Sequence, residues 1–195
     1  KEVGIKPTPS IGGVGLIKDY KKMISMDLKE IDNLVLIIGK TEGHIDQSLF
    51  ARTILDEKNG PPPEVNLFNE KNNGESILNL IDKGYVKSAH DISLGGLLVA
   101  ISKMCIKGNK GIKINKSKNL INEIEYFFAE DQGRYLIEVN KEDLKEVTKI
   151  LNKNSVHHEE LGIITQNDMI INEKTKVTID ELKSYYTNWL SKFMS

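Results

Sequence analysis

Two short stretches contain the residues whose types and spacing could do chemistry. In the first, SAHDISLGGLLVA, His90 and Asp91 end a predicted strand directly before an apolar helix, and Asp91 could bind a metal-nucleotide there. Ser93 is placed to cap the helix, and Gly95 and Gly96 would let an anion approach its bare first turn. The full phosphate-loop signature is missing, so the alternative is that the His-Asp pair only fixes the turn.

The second stretch, FFAEDQGRY, places two acids and an amide before another predicted strand. Glu130 and Asp131 could hold magnesium, and Gln132 could contact a polar ligand. The alternative is a polar loop in which Arg134 forms a local ion pair. Spacing alone does not separate these two interpretations.

The other reactive side chains favour structural roles. His157 and His158 are neighbours in a predicted strand, so they point to opposite faces and would not converge on one zinc ion. We expect His44 in a surface loop without a fixed partner. Cys105 is the single cysteine and lies on an apolar helical face, which predicts a buried, inert thiol in a reducing compartment.

The composition is that of an ordinary soluble globular protein. Of 195 residues, 39% are hydrophobic and 28% charged, and the net charge is -1. We therefore expect neither nucleic acid nor an anionic membrane as partner. No apolar run approaches the roughly 18 to 20 residues of a membrane span. The sequence begins at Lys1 without methionine, and we expect a piece of a longer protein.

Strands and helices alternate along the chain, which predicts an α/β or α+β sandwich with a mixed sheet covered by helices. The predicted strands are NLVLIIGK, GYVKSAHD, GIKIN, GRYLIEV, VHHEELGIIT, DMIIN and KVTID. In GRYLIEV, polar and apolar residues alternate, so we expect one exposed face. The predicted helices are QSLFARTILDE, residues 75–82, the stretch from Leu94, NLINEIEYF, KEDLKEVTKILNK and a C-terminal helix.

The C-terminal helix should begin with a capping box formed by Thr178 and Glu181. Its large apolar residues follow helical spacing, so we expect them to face the core rather than form a stacking platform. These residues are Leu182, Tyr185, Tyr186, Trp189, Leu190 and Phe193.

Several stretches together resemble the C-terminal end of one enzyme family, the PurL-type phosphoribosylformylglycinamidine synthases of purine biosynthesis. They are PTPSIGGVGLI, GKTEGHIDQSLFARTI, GPPPEVNL, SAHDISLGGLLVAISKM and FAEDQGRYLIEV, in that order. The wider group includes aminoimidazole ribonucleotide synthetase, or PurM, and other ATP-dependent enzymes. The resemblance implies that residues 1–17 end a preceding A-type domain and residues 18–32 form a linker. Residues 33–195 would be a second B-type domain, similar to the PurM C-terminal domain.

The resemblance also implies a reaction for the longer enzyme. ATP and Mg²⁺ would drive the cytoplasmic conversion of formylglycinamide ribonucleotide to the amidine, with ammonia from a partner glutamine amidotransferase and with a small PurS-type subunit. The family's catalytic and principal metal-binding residues lie in its first half. This chain would thus contain no catalytic residue, no assigned metal ligand and no required cofactor. Its counterpart segments would form a degenerate or auxiliary site of His90, Asp91, Ser93, Gly95, Gly96, Glu130, Asp131 and Gln132.

Two departures from the family pattern favour a structural role for this site. The family commonly has S-D-G-G-L, whereas Leu94 replaces the acid here, and Ala129 stands where a serine is frequent. We therefore expect a helix-capping turn inherited from a binding site. Three alternatives remain open: an auxiliary nucleotide and magnesium module, a part of a related ATP-dependent enzyme of the PurM group, and an assembly domain that docks a partner.

Overall fold

A mixed sheet of seven strands organises the computed structural model, which describes residues 10–114 and 122–194. The strands are β1 (Leu34–Ile38), β2 (Val86–Asp91), β3 (Gly111–Ile114), β4 (Tyr135–Val139), β5 (His158–Thr165), β6 (Asp168–Ile171) and β7 (Thr175–Thr178). Their order across the sheet is β2-β4-β1-β5-β3-β6-β7. The β3–β6 pair is parallel, and the other neighbouring pairs are antiparallel.

Helices cover both faces of this sheet. They are α1 (Leu49–Thr53), α2 (Leu67–Asp82), α3 (Gly96–Gly108), α4 (Glu123–Phe128), α5 (Leu144–Lys153) and α6 (Ile179–Met194). Short 3-10 turns occupy Tyr20–Lys22 and Lys141–Asp143. Helices α3 and α4 and the start of α6 pack on one face, and α2 and α5 pack on the other. This arrangement confirms the predicted helix-covered mixed sheet.

Two local predictions differ from the structure, one for a strand and one for the start of a helix. The predicted exposed face of GRYLIEV is wrong, because β4 lies between β1 and β2 and is buried from Leu136 to Val139. Helix α2 begins at Leu67 rather than Glu75, since the Asn66 side chain accepts the Asn69 N–H at 3.0 Å and caps the helix there.

Two other predicted helices are shorter than their apolar patterns. Helix α1 ends at Thr53, and the predicted helical residues Ile54 and Leu55 are exposed beyond it. Leu94 is also exposed and lies outside α3, which begins at Gly96.

The prediction for α6 is half correct. The capping box is present, since the Thr178 N–H donates to Glu181 Oε2 at 2.8 Å and the Glu181 N–H donates to Thr178 Oγ1 at 3.2 Å. The predicted burial is wrong beyond the first turn, where only Leu182 packs against the core. The exposed residues are Tyr185 (79%), Tyr186 (49%), Trp189 (60%), Leu190 (53%) and Phe193 (78%).

One buried carboxylate ties the segment before β1 to the sheet. Glu138 of β4 is inaccessible to solvent and accepts the backbone N–H groups of Lys29 at 2.8 Å and Glu30 at 3.0 Å. The Asn33 amide at 2.8 Å and the Ser88 hydroxyl at 2.9 Å donate to the same carboxylate. These four donors replace the water that Glu138 loses on burial.

The Glu138 contacts predict a large effect of truncation on stability. We expect Glu138→Ala to lower the free energy of unfolding by about 3 kcal/mol, because it leaves four donors without their acceptor. Urea denaturation measures this change. The control is Glu142→Ala, at an exposed residue four positions away in the next turn, which should change stability by less than about 0.5 kcal/mol. Equal effects of the two variants would contradict the assigned role.

Candidate functional site

The two chemically promising stretches meet where β2 ends and β4 begins. Asp91 pairs with Tyr135 in the sheet, and the Ile92 N–H donates to the Arg134 carbonyl at 2.9 Å. The loop that contains Glu130 therefore lies directly beside the turn that leads into α3. The sheet register brings together residues about 40 positions apart in the sequence.

Glu130 joins the beginnings of two helices. Its Oε1 accepts the N–H of Leu49, the first residue of α1, at 2.7 Å and the N–H of Gly95, immediately before α3, at 2.8 Å. Backbone N–H groups at helix starts have no partner within the helix, and the helix dipole favours a negative charge there. The anion that contacts the start of α3 is thus a side chain of this protein.

The glycine pair is explained by the path of the same loop. Gly95 and Gly96 have φ values of 89° and 72°, which L side chains rarely adopt. A Cβ on Gly96 would also lie 2.7 Å from the Ala129 carbonyl oxygen. The two glycines therefore permit the turn and the close approach of the loop that contains Glu130.

Asp131 orders a second loop. Its Oδ2 accepts the N–H groups of Glu42 at 3.0 Å and Gly43 at 3.2 Å, and its Oδ1 accepts that of His44 at 2.9 Å. Arg134 Nη2 lies 3.7 Å from Oδ2, which is the local ion pair considered from the sequence. Both oxygens of this buried carboxylate are thus engaged by groups of the protein itself.

Arg134 holds the loop from inside. Its side chain is inaccessible and donates to the Ala129 carbonyl at 2.6 Å, to Thr41 Oγ1 at 3.1 Å and to the Asp131 carbonyl at 3.4 Å. Burial lowers the pKa of the guanidinium, and the nearby Asp131 carboxylate opposes that shift. The arginine is thus a buried structural cation rather than an exposed phosphate clamp.

His90, Asp91 and Ser93 form a separate polar group at the end of β2. His90 Nδ1 lies 3.1 Å from Asp91 Oδ1, and the Ser93 hydroxyl donates to Asp91 Oδ2. The predicted side-chain cap by Ser93 is wrong, because Gly95 is the N-cap and the Ser93 hydroxyl is directed to Asp91. The bond from Ser93 is the main cause that lowers the pKa of Asp91.

The His90 ring is mostly covered. Among the described residues its Nε2 has no hydrogen-bond partner. Burial lowers the pKa of His90 below the ordinary 6.5, Asp91 opposes this shift, and Lys103 adds to it. The neutral ring is therefore favoured in the folded protein.

Two adjoining cavities flank the Glu130 loop. The smaller, about 340 Å³, is lined by Asp91, Ser93, Glu130, Asp131 and Gln132, among others. The larger, about 610 Å³, lies between the 39–44 loop, the start of α2 and His157. Gln132 is exposed and borders both. His90, Gly95 and Gly96 do not line either cavity.

The sequence interpretation missed the polar wall of the larger cavity. Asn66, Asn69 and Asn73 line it at helical spacing, and Asn73 donates to the Gly133 carbonyl at 2.9 Å. The helical spacing of these asparagines in the sequence could have indicated a polar face at this position. His44 also lines this cavity, and its Nε2 lies 3.1 Å from the Pro61 carbonyl, so the expectation that it has no fixed partner is wrong.

The remaining reactive residues do not add to the site. Cys105 is buried as predicted, and burial raises the pKa of its thiol to about 12. Within residues 10–114 and 122–194, no three His, Cys, Asp or Glu side chains cluster closely enough to hold a metal ion. In that same part of the chain, none of the helices is both long and apolar enough to span a membrane.

Comparison with known proteins identifies the domain type and close sequence relatives. The model for the C-terminal domain of AIR synthase related proteins matches residues 30–172. The chain is 66% identical over 194 residues to phosphoribosylformylglycinamidine synthase subunit PurL of Pelagibacter ubique, covering 100% of this chain and 27% of that protein. With the Bartonella henselae protein of the same name it shares 37% identity over 190 residues, 97% of this chain and 26% of that protein. The chain therefore spans about a quarter of these relatives.

Solved structures show the same fold at low sequence identity. Thermotoga maritima PurL complexed with FGAR has a TM-score of 0.68 and 18% identity, covering 83% of this chain and 29% of that chain. The PurLQS structure from Thermotoga maritima has a TM-score of 0.64 and 19% identity, covering 83% of this chain and 28% of that chain. These likenesses agree with the predicted PurM-like C-terminal fold.

The Glu130 bridge predicts a graded loss of stability. We expect Glu130→Ala to lower the free energy of unfolding by about 2 kcal/mol, because two helix starts lose their acceptor. Glu130→Gln should lower the free energy of unfolding by less, since its amide oxygen can still accept the two N–H groups. The control is Glu57→Ala at an exposed acid, and urea denaturation compares the three. A Glu130→Ala protein as stable as this control would refute the bridge.

The buried His90 predicts a pH dependence of stability. In the unfolded chain, histidine takes up a proton near pH 6.5, whereas the folded protein does so only at lower pH. The unfolded state therefore binds more protons in this window, and stability falls as pH decreases below about 6.5. His90→Gln should flatten this slope in urea midpoints measured from about pH 7.5 to about pH 5. An unchanged slope would contradict the assignment. The pKa of Asp91 is also lowered, so this residue affects stability only at lower pH, below its ordinary pKa of 3.8.

Proposed function

The chain belongs to the AIR synthase related proteins, whose C-terminal domain its residues 30–172 match, and from this premise we propose that it is the C-terminal quarter of a PurL-type phosphoribosylformylglycinamidine synthase. The 66% identity to the Pelagibacter ubique PurL subunit supports this proposal. The longer enzyme would use ATP and Mg²⁺ to convert formylglycinamide ribonucleotide to the amidine in the cytoplasm. Solved PurL structures described as complexes with ATP and with FGAR support the substrate class.

The proposed partners are the rest of the PurL chain, a glutamine amidotransferase subunit that supplies ammonia, and a small PurS-type subunit. The structure of PurLQS from Thermotoga maritima supports a multi-subunit assembly. Residues 1–17 would belong to the preceding A-type domain, residues 18–32 to a linker and residues 33–195 to the B-type domain. The full exposure of Ile11, Val14 and Leu16 supports the first of these assignments, because these apolar residues are left in solvent here.

Within that enzyme, this chain is a structural portion without catalytic residues of its own. The observation behind this conclusion is that both acids of the AEDQ loop are engaged by backbone N–H groups: Glu130 by two and Asp131 by three. A carboxylate that holds Mg²⁺ directs its lone pairs to the ion. The residues present therefore do not fit a magnesium site, and no reaction step is assigned to them.

A second candidate function is an auxiliary nucleotide-binding module. The exposed side chains of Asp91 and Gln132 at the smaller cavity favour it, because they remain accessible to a polar ligand. A nucleotide bound there would contact these two side chains rather than the start of α3, where Glu130 already accepts the Gly95 N–H.

One pair of variants in the longer enzyme tests both functions. Asp91→Asn and Gln132→Ala change the accessible polar groups of the smaller cavity. With a structural role, we expect kcat for ATP-dependent amidine formation, with ammonia supplied, to stay within about threefold of the unmodified enzyme. Calorimetry with Mg-ADP should give the same stoichiometry for all three proteins.

Two results would contradict these proposals separately. An unmodified longer enzyme that forms no amidine from formylglycinamide ribonucleotide, ATP and ammonia would contradict the synthase assignment. Loss of one equivalent of bound ADP in the folded variants would favour the auxiliary module over the structural role. Circular dichroism of each variant shows whether it is folded.

A further inference from the structure

The sequence contains two Asn-Gly pairs, Asn59-Gly60 and Asn73-Gly74. An asparagine side chain in such a pair is open to attack by the backbone nitrogen of the next residue, because glycine has no Cβ to block the approach. This attack converts asparagine to aspartate and isoaspartate. Both pairs have the groups for this chemistry, so the fold decides which of them can react.

The first pair lies in the irregular segment between α1 and α2. Residues 52–60 are all exposed, and Asn59 belongs to neither a helix nor a strand. Within residues 10–114 and 122–194, the Asn59 side chain and the Gly60 N–H have no hydrogen-bond partner. No hydrogen bond in this part of the chain therefore keeps the two reacting groups apart.

The backbone around the first pair is held through its carbonyl groups. Gln47 Nε2 donates to the Lys58 carbonyl at 3.2 Å and to the Gly60 carbonyl at 3.1 Å. His44 Nε2 lies 3.1 Å from the Pro61 carbonyl. These contacts fix the position of the 58–61 loop without engaging either reacting group.

The second pair is protected inside helix α2. Asn73 is only 6% exposed, and its side-chain amide donates to the Gly133 carbonyl at 2.9 Å. Gly74 lies within the helix, where its N–H belongs to the helical hydrogen-bond ladder. Attack at Asn73 would require the bond to Gly133 to break and the helix to open locally.

We propose that Asn59 is a deamidation site and that Asn73 is not. The Gly60 nitrogen attacks Cγ of Asn59, and the bond from Cγ to the amide nitrogen breaks. Ammonia leaves with the proton of the Gly60 amide, and a cyclic succinimide remains. Water then opens the ring at either of its carbonyl groups and gives aspartate or isoaspartate. Water is the single co-reactant, and the proposal does not depend on the reaction assigned to the longer enzyme.

The modification weakens the contacts that hold the 58–61 loop. Isoaspartate places its side-chain carbon in the main chain, which changes the spacing of the Lys58 and Gly60 carbonyls that Gln47 engages together. Both products also add a negative charge near Asp46, whose Cγ lies 2.7 Å from the place that a Cβ on Gly60 would take. Like charges on neighbouring side chains repel each other. The result is a loosened loop beside the larger cavity, which Pro63 lines.

Peptide mapping by mass spectrometry tests the proposal on the longer protein, incubated in its folded state at mildly alkaline pH. We expect aspartate and isoaspartate at residue 59, and at least about tenfold less conversion at Asn73, because α2 must open before Asn73 can react. In urea the two asparagines should convert at similar rates, since the fold no longer protects Asn73.

The control variant is Asn59→Gln, which keeps an exposed amide but moves it one methylene farther from the main chain. It should show no conversion at residue 59 over the same time and unchanged behaviour at Asn73, and circular dichroism shows whether it is folded. Conversion of Asn59 in the folded protein that is no faster than that of Asn73 overturns the proposal. Aspartate without isoaspartate at residue 59 also overturns it, because water would then have hydrolysed the amide directly.

Discussion

The bridge from Glu130 to two helix starts is the interaction on which this end of the domain depends. One carboxylate oxygen accepts the N–H groups of Leu49 and Gly95, which begin α1 and α3 on different parts of the chain. Its neighbour Asp131 holds the 42–44 loop, and Arg134 secures both from the interior. Acids with the right types for magnesium thus stabilise backbone that would otherwise lack partners.

A carboxylate also accepts backbone N–H groups at the other end of β4. Glu138 is as buried as any core residue, and it accepts from the segment that leads into β1 and from Ser88 of β2. The buried or partly buried carboxylates Glu130, Asp131 and Glu138 therefore all accept backbone N–H groups. At both ends of β4, the carboxylates that the structure describes are thus engaged by groups of the protein itself.

Local patterns identified the strands, the capping box and the place of both polar stretches, because each depends on residues close in sequence. The failures arose where distant parts of the chain decide. Alternation in GRYLIEV could not show that β4 is central, and helical spacing in α6 identified an apolar seam without showing what covers it. The partners of Glu130 are 81 and 35 positions away, so its acceptor role was not readable from FFAEDQGRY.

Amide hydrogen exchange at the N–H groups of Leu49, Gly95 and His44 is the most direct test of the structural role of the two acids. If Glu130 and Asp131 accept these N–H groups permanently, the three amides should exchange slowly, through unfolding of a larger part of the domain. Addition of Mg-ADP at about 1 mM should not change their exchange rates. Fast exchange without nucleotide, or a change in these amides on adding Mg-ADP, would show that the carboxylates are available to a ligand. The acids would then form a binding site rather than a structural bridge.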